Sequence, residues 1–207
     1  MKILITAGPT CEPIDPVRYL TNRSSGKMGY AIAHAAAHGG HQVLLVSGPT
    51  LLDVPDGVDF IPVQTAAEMY DVVGTYLPKM DAAIFAAAVA DYTPAELSEQ
   101  KIKKTEDRMS IELVRTRDIL GSARSEMGFT GFLVGFAAET ENLEANARRK
   151  LERKGCDLVV ANDVSRSDIG FDSSENEALL VFPDRTEVFK KAPKDDLAMF
   201  LVSMLGG

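Results

Sequence analysis

The sequence predicts an α/β protein built on a doubly wound parallel sheet. Two observations carry that prediction: short apolar, β-prone runs recur along the chain, and helical patterns separate most of them. No internal repeat or low-complexity tract competes with this reading.

The first run, residues 3–6, is apolar and is ended by Ala7-Gly8-Pro9-Thr10. A long connection leads to a helix predicted over 27–38, of which 31–37 is almost pure helix former. Further strands are predicted at 42–46, 60–63, 82–86, 132–136 and 158–160, and helices at 66–77, 118–126, 143–154 and 195–205. Two stretches depart from the alternation. Residues 91–114 form an expected mobile segment, a lid over about 92–108, that runs into an extra strand around the alternating Met109-Ser110-Ile111-Glu112-Leu113. Residues 171–190 carry a hairpin signature, two β-prone runs about the turn Pro183-Asp184, expected to be antiparallel, appended to the main sheet and used in dimerisation. The expected whole is one Rossmann-like domain over 1–207, in which ligands sit at the carboxyl ends of the strands.

At 207 residues and 45% hydrophobic composition the chain can bury one substantial core. A formal net charge of −8 argues against a general nucleic-acid binder, which needs a basic face to displace counterions from phosphates. Cys11 and Cys156 are too few and too separated for a disulfide framework, which fits a reducing cytoplasm; a catalytic cysteine has little support. No apolar run reaches a membrane-spanning length of about 18 residues, and no signal peptide opens the chain, so a soluble, unexported protein without a membrane partner is expected.

The stretch Asn22-Arg23-Ser24-Ser25-Gly26-Lys27-Met28-Gly29 lies where a helix opens, so its small residues and hydroxyls suit an anionic oxygen facing unpaired N–H groups. Ser-Ser-Gly also serves as an ordinary cap and turn, but the connection is long and carries Arg18, Asn22, Arg23 and Lys27. Gly26 and Gly29 invite a dinucleotide reading, yet Ser47-Gly48-Pro49 stands where a ribose-binding acid belongs. Gly26-Lys27 is not a Walker motif, because Met28 replaces the magnesium-binding hydroxyl. His34 and His38 have a zinc-compatible spacing without an evident third ligand. In Ala86-Ala87-Ala88-Val89-Ala90-Asp91-Tyr92, small side chains suit either tight packing or the close approach of a flat ring, and Asp91 adds a carboxylate at the strand end. Lys101, Lys103 and Lys104 surround Ile102, a local basic exception in an acidic protein and a candidate lid over a triphosphate. Lys150 and Lys154, one helical turn apart, are placed to reach the same phosphates.

Taken in order with Thr6-Ala7-Gly8-Pro9-Thr10, Pro16-Val17-Arg18-Tyr19, Gly135-Phe136-Ala137-Ala138-Glu139-Thr140 and Ala161-Asn162-Asp163, these motifs closely resemble phosphopantothenoylcysteine synthetase over nearly the whole chain. The lysine segment is similar to that of the bacterial, CTP-using branch. The resemblance implies a ligase of coenzyme A biosynthesis in which 4'-phosphopantothenate attacks CTP, with magnesium, and the acyl cytidylate then reacts with L-cysteine, releasing CMP. It assigns Lys101 to the first half-reaction and Asn22 to holding the cytidylate. It implies CTP contacts from Phe85, Ala86, Ala87, Asp91, Lys101, Arg117, Asp118, Ile119, Leu120, Phe136, Lys150 and Lys154. It implies phosphopantothenate contacts from Gly8, Ser24, Gly26, Gly29 and Asn162, and a homodimer in which Arg18 reaches the neighbouring subunit's substrate phosphate. No metal ligand is assigned. Arg117 departs from the family pattern, where many bacterial relatives carry proline. The family's frequent fusion partner, a flavin-dependent decarboxylase domain, is not in this sequence. The rival readings are a nicotinamide-dependent oxidoreductase, which lacks here both the acidic residue and a Tyr-x-x-x-Lys pair, and a non-catalytic nucleotide-binding regulator.

Overall fold

Side chains on a strand alternate between the two faces of a sheet, and here both sets are apolar, so the sheet must be covered on both sides. In β1 (Lys2–Ala7), Ile3, Ile5 and Ala7 enter one core while Leu4 enters the other. The computed structural model, which describes residues 1–104, 107–165 and 173–206, shows the result. Six parallel strands are β1, β4 (Gln42–Ser47), β5 (Val58–Pro62), β6 (Ala82–Phe85), β9 (Phe132–Glu139) and β10 (Leu158–Asp163). The antiparallel strands β11 (Glu175–Val181) and β12 (Thr186–Pro193) extend the sheet beyond β10, giving the order β12-β11-β10-β9-β6-β1-β4-β5. Helices α1 (Lys27–His38) and α5 (Lys194–Ser203) cover one face, and α2 (Ala66–Tyr76), α3 (Ile119–Ser125) and α4 (Leu143–Lys154) the other.

The doubly wound sheet and the appended hairpin are therefore as expected, with differences at the edges. β9 and β10 run further than their apolar stretches, to Glu139 and Asp163, because the parallel ladder between them continues past the core. Asn162 consequently stands on a strand. Asp118 is the cap of α3, its carboxylate accepting from the Gly121 amide at 2.9 Å, rather than a helical residue. The long connection after β1 folds into a small ribbon of β2 (Cys11–Pro13) and β3 (Tyr19–Thr21). The extra strand expected around 109–113 begins only at Leu113: β8 (Leu113–Arg115) pairs with β7 (Tyr92–Pro94) in a separate ribbon and does not join the main sheet. Residues 105–106 of the expected lid and 171–172 at the start of the hairpin segment lie outside the described residues.

Chain order reverses between β1 and β6, whose neighbours lead to opposite edges of the sheet. A crevice forms at the carboxyl ends of strands at such a point.

Candidate active site

Beyond β1 and β6 the two chains remain paired. The Ala86 and Ala88 amides donate to the Thr6 and Gly8 carbonyls at 3.1 and 2.9 Å, and the Ala90 amide to Thr10 Oγ1 at 2.9 Å. Asn22 binds this extension from the side, its Nδ2 donating to the carbonyls of Ala88 (3.2 Å) and Val89 (3.0 Å). The backbone of 86–90 is thus held on one side by the continuation of β1 and on the other by the Asn22 side chain. Gly26 is the cap position of α1, with φ +77° and no side chain of its own to cap the helix, and its amide donates to Ser24 Oγ at 3.4 Å. A Cβ on Gly29 would stand 2.5 Å from that of Ala7, so α1 starts hard against the end of β1. On the other flank a Cβ on Gly48 would lie 1.8 Å from the Pro9 carbonyl oxygen. Backbone therefore fills the end of β4, where a dinucleotide ribose would be held.

Two cavities open on this crevice. The first, about 630 Å³, lies over β6, β9 and the start of α3, and collects Phe85, Ala87, Asp91, Arg117, Asp118, Ile119, Leu120, Phe136, Lys150 and Lys154 from the expected nucleotide contacts. The second, about 450 Å³, is lined by Asn22, Ser24, Gly26, Gly29 and Asn162, all expected substrate contacts, and by Ala86. Ala87, Val89, Asp91, Phe136 and Lys150 line both, so molecules in the two cavities would meet across that wall. Gly8 lines neither but supports the second, its Cα 3.4 Å from where a Gly26 Cβ would stand.

Charge at the shared wall is fixed by α4. Lys150 Nζ donates to the Phe136 carbonyl at 2.6 Å, and burial pushes its pKa below the ordinary lysine value. Lys154 pairs with the second Asp118 oxygen, and burial lowers its pKa too. Arg117 lies 3.5 Å from the Tyr70 ring centroid and 3.5 Å from Glu126, whose carboxyl is held below its ordinary pKa chiefly by the Tyr70 hydroxyl. These contacts pin the turn before α3. Burial pushes the Cys156 thiol up to about 11, so it keeps its proton and is no nucleophile. His34 and His38 stack on each other at 6.3 Å, and among the described residues no group of three or more His, Cys, Asp or Glu comes together.

Lys101 and Arg18 are not brought to either cavity. They line a third, about 1010 Å³, with Val17, Ile102, Lys103 and Lys104. Asp15 organises this corner: its buried carboxylate accepts from Arg18 at 2.5 and 3.0 Å and from the Ile102 amide at 3.1 Å, while Arg18 also donates to the Ile102 carbonyl at 3.0 Å. The lysine segment is clamped to its own chain through Ile102.

Sequence reasoning missed Asn176 and Lys194, which line the second cavity from β11 and α5, and Arg149 and Arg153, which line the first from α4. Asn176 was findable as a lone amide entering an apolar β-run. Lys194 carried no signal, because only the hairpin's return brings it there.

The family model described as the DNA/pantothenate metabolism flavoprotein C-terminal domain matches residues 1–206. The coenzyme A biosynthesis bifunctional protein CoaBC of Vibrio vulnificus (strain YJ016) is 50% identical over 206 residues, covering 99% of this chain and 51% of that protein. That of Escherichia coli (strain K12) is 44% identical over 205 residues, covering 98% and 50%. The chain thus spans about half the length of the curated relatives it matches. A crystal structure of the C-terminal domain of a CoaBC protein superposes with a TM-score of 0.83 at 40% identity, covering 98% of this chain and 92% of that one. The DNA/pantothenate metabolism flavoprotein from Streptococcus pneumoniae, 24% identical with a TM-score of 0.86 over 100% and 98% of the two chains, shares the fold. The chain belongs to the DNA/pantothenate metabolism flavoprotein C-terminal domain family.

Proposed function

We propose that this chain is the phosphopantothenate–cysteine ligase unit of a coenzyme A biosynthesis protein, working through an acyl cytidylate. The carrying observation is the wall shared by the two cavities, of which Lys150 is the one cationic member among the described residues. CTP occupies the first cavity and 4'-phosphopantothenate the second, its phosphate toward Ser24, Gly26 and Gly29. A carboxylate oxygen attacks the α-phosphorus, the bond to the bridging oxygen breaks, and pyrophosphate leaves. Cysteine nitrogen then attacks the acyl carbon, CMP departs with the former carboxylate oxygen, and the nitrogen sheds a proton to leave an amide. Two anions must approach each other, so cations and oriented N–H groups fixed beforehand lower the barrier. Lys150 and Lys154 supply that charge, Lys101 adds to it when its segment leaves the Asp15 clamp, and Asn22 holds the cytidylate. Asp91, which lines both cavities, would help to hold magnesium, whose charge would offset that of the triphosphate.

The two ribbons carry exposed apolar side chains, among them Val17, Tyr19, Tyr92, Leu113 and Val114. We place the homodimer contact there rather than on the appended hairpin. The identity of the relatives supports a decarboxylase partner fused to, or working beside, this unit. Incubation with CTP, magnesium, phosphopantothenate and L-cysteine tests the reading: mass spectrometry should show phosphopantothenoylcysteine and CMP. Absence of both, with either CTP or ATP, contradicts it.

A further inference from the structure

The lining of the second cavity contains a buried acceptor that has no hydrogen-bond partner among the described residues. Asn176 is 1% exposed, lines the cavity, and its Oδ1 has no hydrogen-bond partner among the described residues. Its Nδ2 faces Met28 Sδ at 3.9 Å, in the first turn of α1, which leaves the oxygen turned elsewhere. The strand slips register between Asn176 and Ala178, an irregularity of the kind that re-aims a side chain out of the ladder. On the same cavity, from the neighbouring strand β10, Asn162 Oδ1 is also buried and unpartnered among the described residues. A buried acceptor left unmade is costly, and two on one cavity specify what should fill it: a molecule presenting two hydrogen-bond donors.

Resting on the proposed reaction, we infer that Asn176 and Asn162 form a two-acceptor ruler that selects the substrate by its secondary hydroxyl and its amide N–H. Phosphopantothenate has these two donors between its phosphate and its carboxylate. Asn176 stands by the first turn of α1, at the phosphate end, and takes the hydroxyl. Asn162 is in register with Ala138 on β9, two residues beyond the shared-wall residue Phe136, and takes the amide N–H. The carboxylate is then directed to Lys150 and the nucleotide. A chain acid lacking either donor leaves one oxygen stranded, and that penalty is the basis of selection.

The test compares 4'-phosphopantothenate with its analogue lacking the secondary hydroxyl and with its N-methyl amide, by calorimetric binding and by kcat/KM. Wild type should disfavour each analogue by about 10-fold or more. Asn176→Leu and Asn176→Ala should lose the preference against the deoxy compound while keeping that against the N-methyl amide, and Asn162→Ala should do the reverse. Asn176→Leu should also melt close to wild type without ligand, since it removes a stranded oxygen along with only the long contact to Met28 Sδ. Equal binding of all three compounds by wild type, which requires no variant to fold, would overturn the inference and leave the ligase reading intact. Failure of wild type to bind phosphopantothenate would overturn both.

Discussion

In the proposed reaction Lys101 and Lys150 would meet phosphate charge differently, one from a segment held at the Asp15 corner and one from a helix already at the shared wall. Lys101→Ala should slow pyrophosphate release before cysteine is added by about 10²-fold or more, the loss typical of one transition-state donor; near-normal release would contradict its role. Asn22→Ala should instead let the proposed acyl cytidylate accumulate, detectable by mass spectrometry, because it removes the side chain that lines the second cavity and binds the Ala88 and Val89 carbonyls. For Lys150 the sign of the pH effect follows from burial. Its charge is disfavoured in the free protein and restored by an anionic ligand, so triphosphate affinity should fall as pH rises through the lowered pKa, before ordinary lysines titrate. Calorimetry across that range should show proton uptake on binding in wild type and much less in Lys150→Met. Most of these residues were legible, because lysines on one helix face and glycines at a strand end have few other reasons to occur together. Asn176 and Lys194 were not, since their positions depend on the return path of a hairpin and the start of the last helix.

At the scale of elements, the strands and helices of the main sheet were legible because apolar runs and helix formers alternate without ambiguity. The ribbons were not. Cys11–Pro13 and Tyr19–Thr21 are too short to show a period, and Met109 to Glu112 alternate in type yet find no sheet edge to join. What the connection after β1 does instead is build the Asp15 clamp. Arg18 beside Asp15 holds its carboxyl well below the usual carboxylate range. A depressed pKa contributes stability above the unfolded value, near 3.9, and loses it only as pH falls through the folded value. The Ile102 amide, which donates to Asp15, should therefore keep its protection against hydrogen exchange at pH 4, where ordinary surface carboxylates are half protonated. Asp15→Asn should lose that protection at pH 4 and pH 7 alike. Loss in wild type at pH 4 would show that the clamp is weaker than the contacts indicate.

For the whole molecule, the net charge is −8, and the topology nonetheless brings the end of β1, the start of α1 and the α4 lysines to one reversal of strand order, where the proposed polyanionic reactants would bind. The fold class could be read from the sequence, but the adjacency of two cavities across Phe136 and Lys150 could not, because it depends on how far β9 and β10 project. Outside the crevice, the exposed apolar ribbons should make the protein sediment at twice its 22.4 kDa chain mass, and Val114→Lys with Tyr19→Lys should return it to one. The measurement that bears most directly on the central claim follows the oxygen. With phosphopantothenate labelled by ¹⁸O in its carboxylate, direct attack on the α-phosphorus predicts one labelled oxygen in the released CMP. Label absent from CMP and found in orthophosphate would mean that the carboxylate attacks elsewhere, and would contradict the shared wall as the place where the two reactants meet.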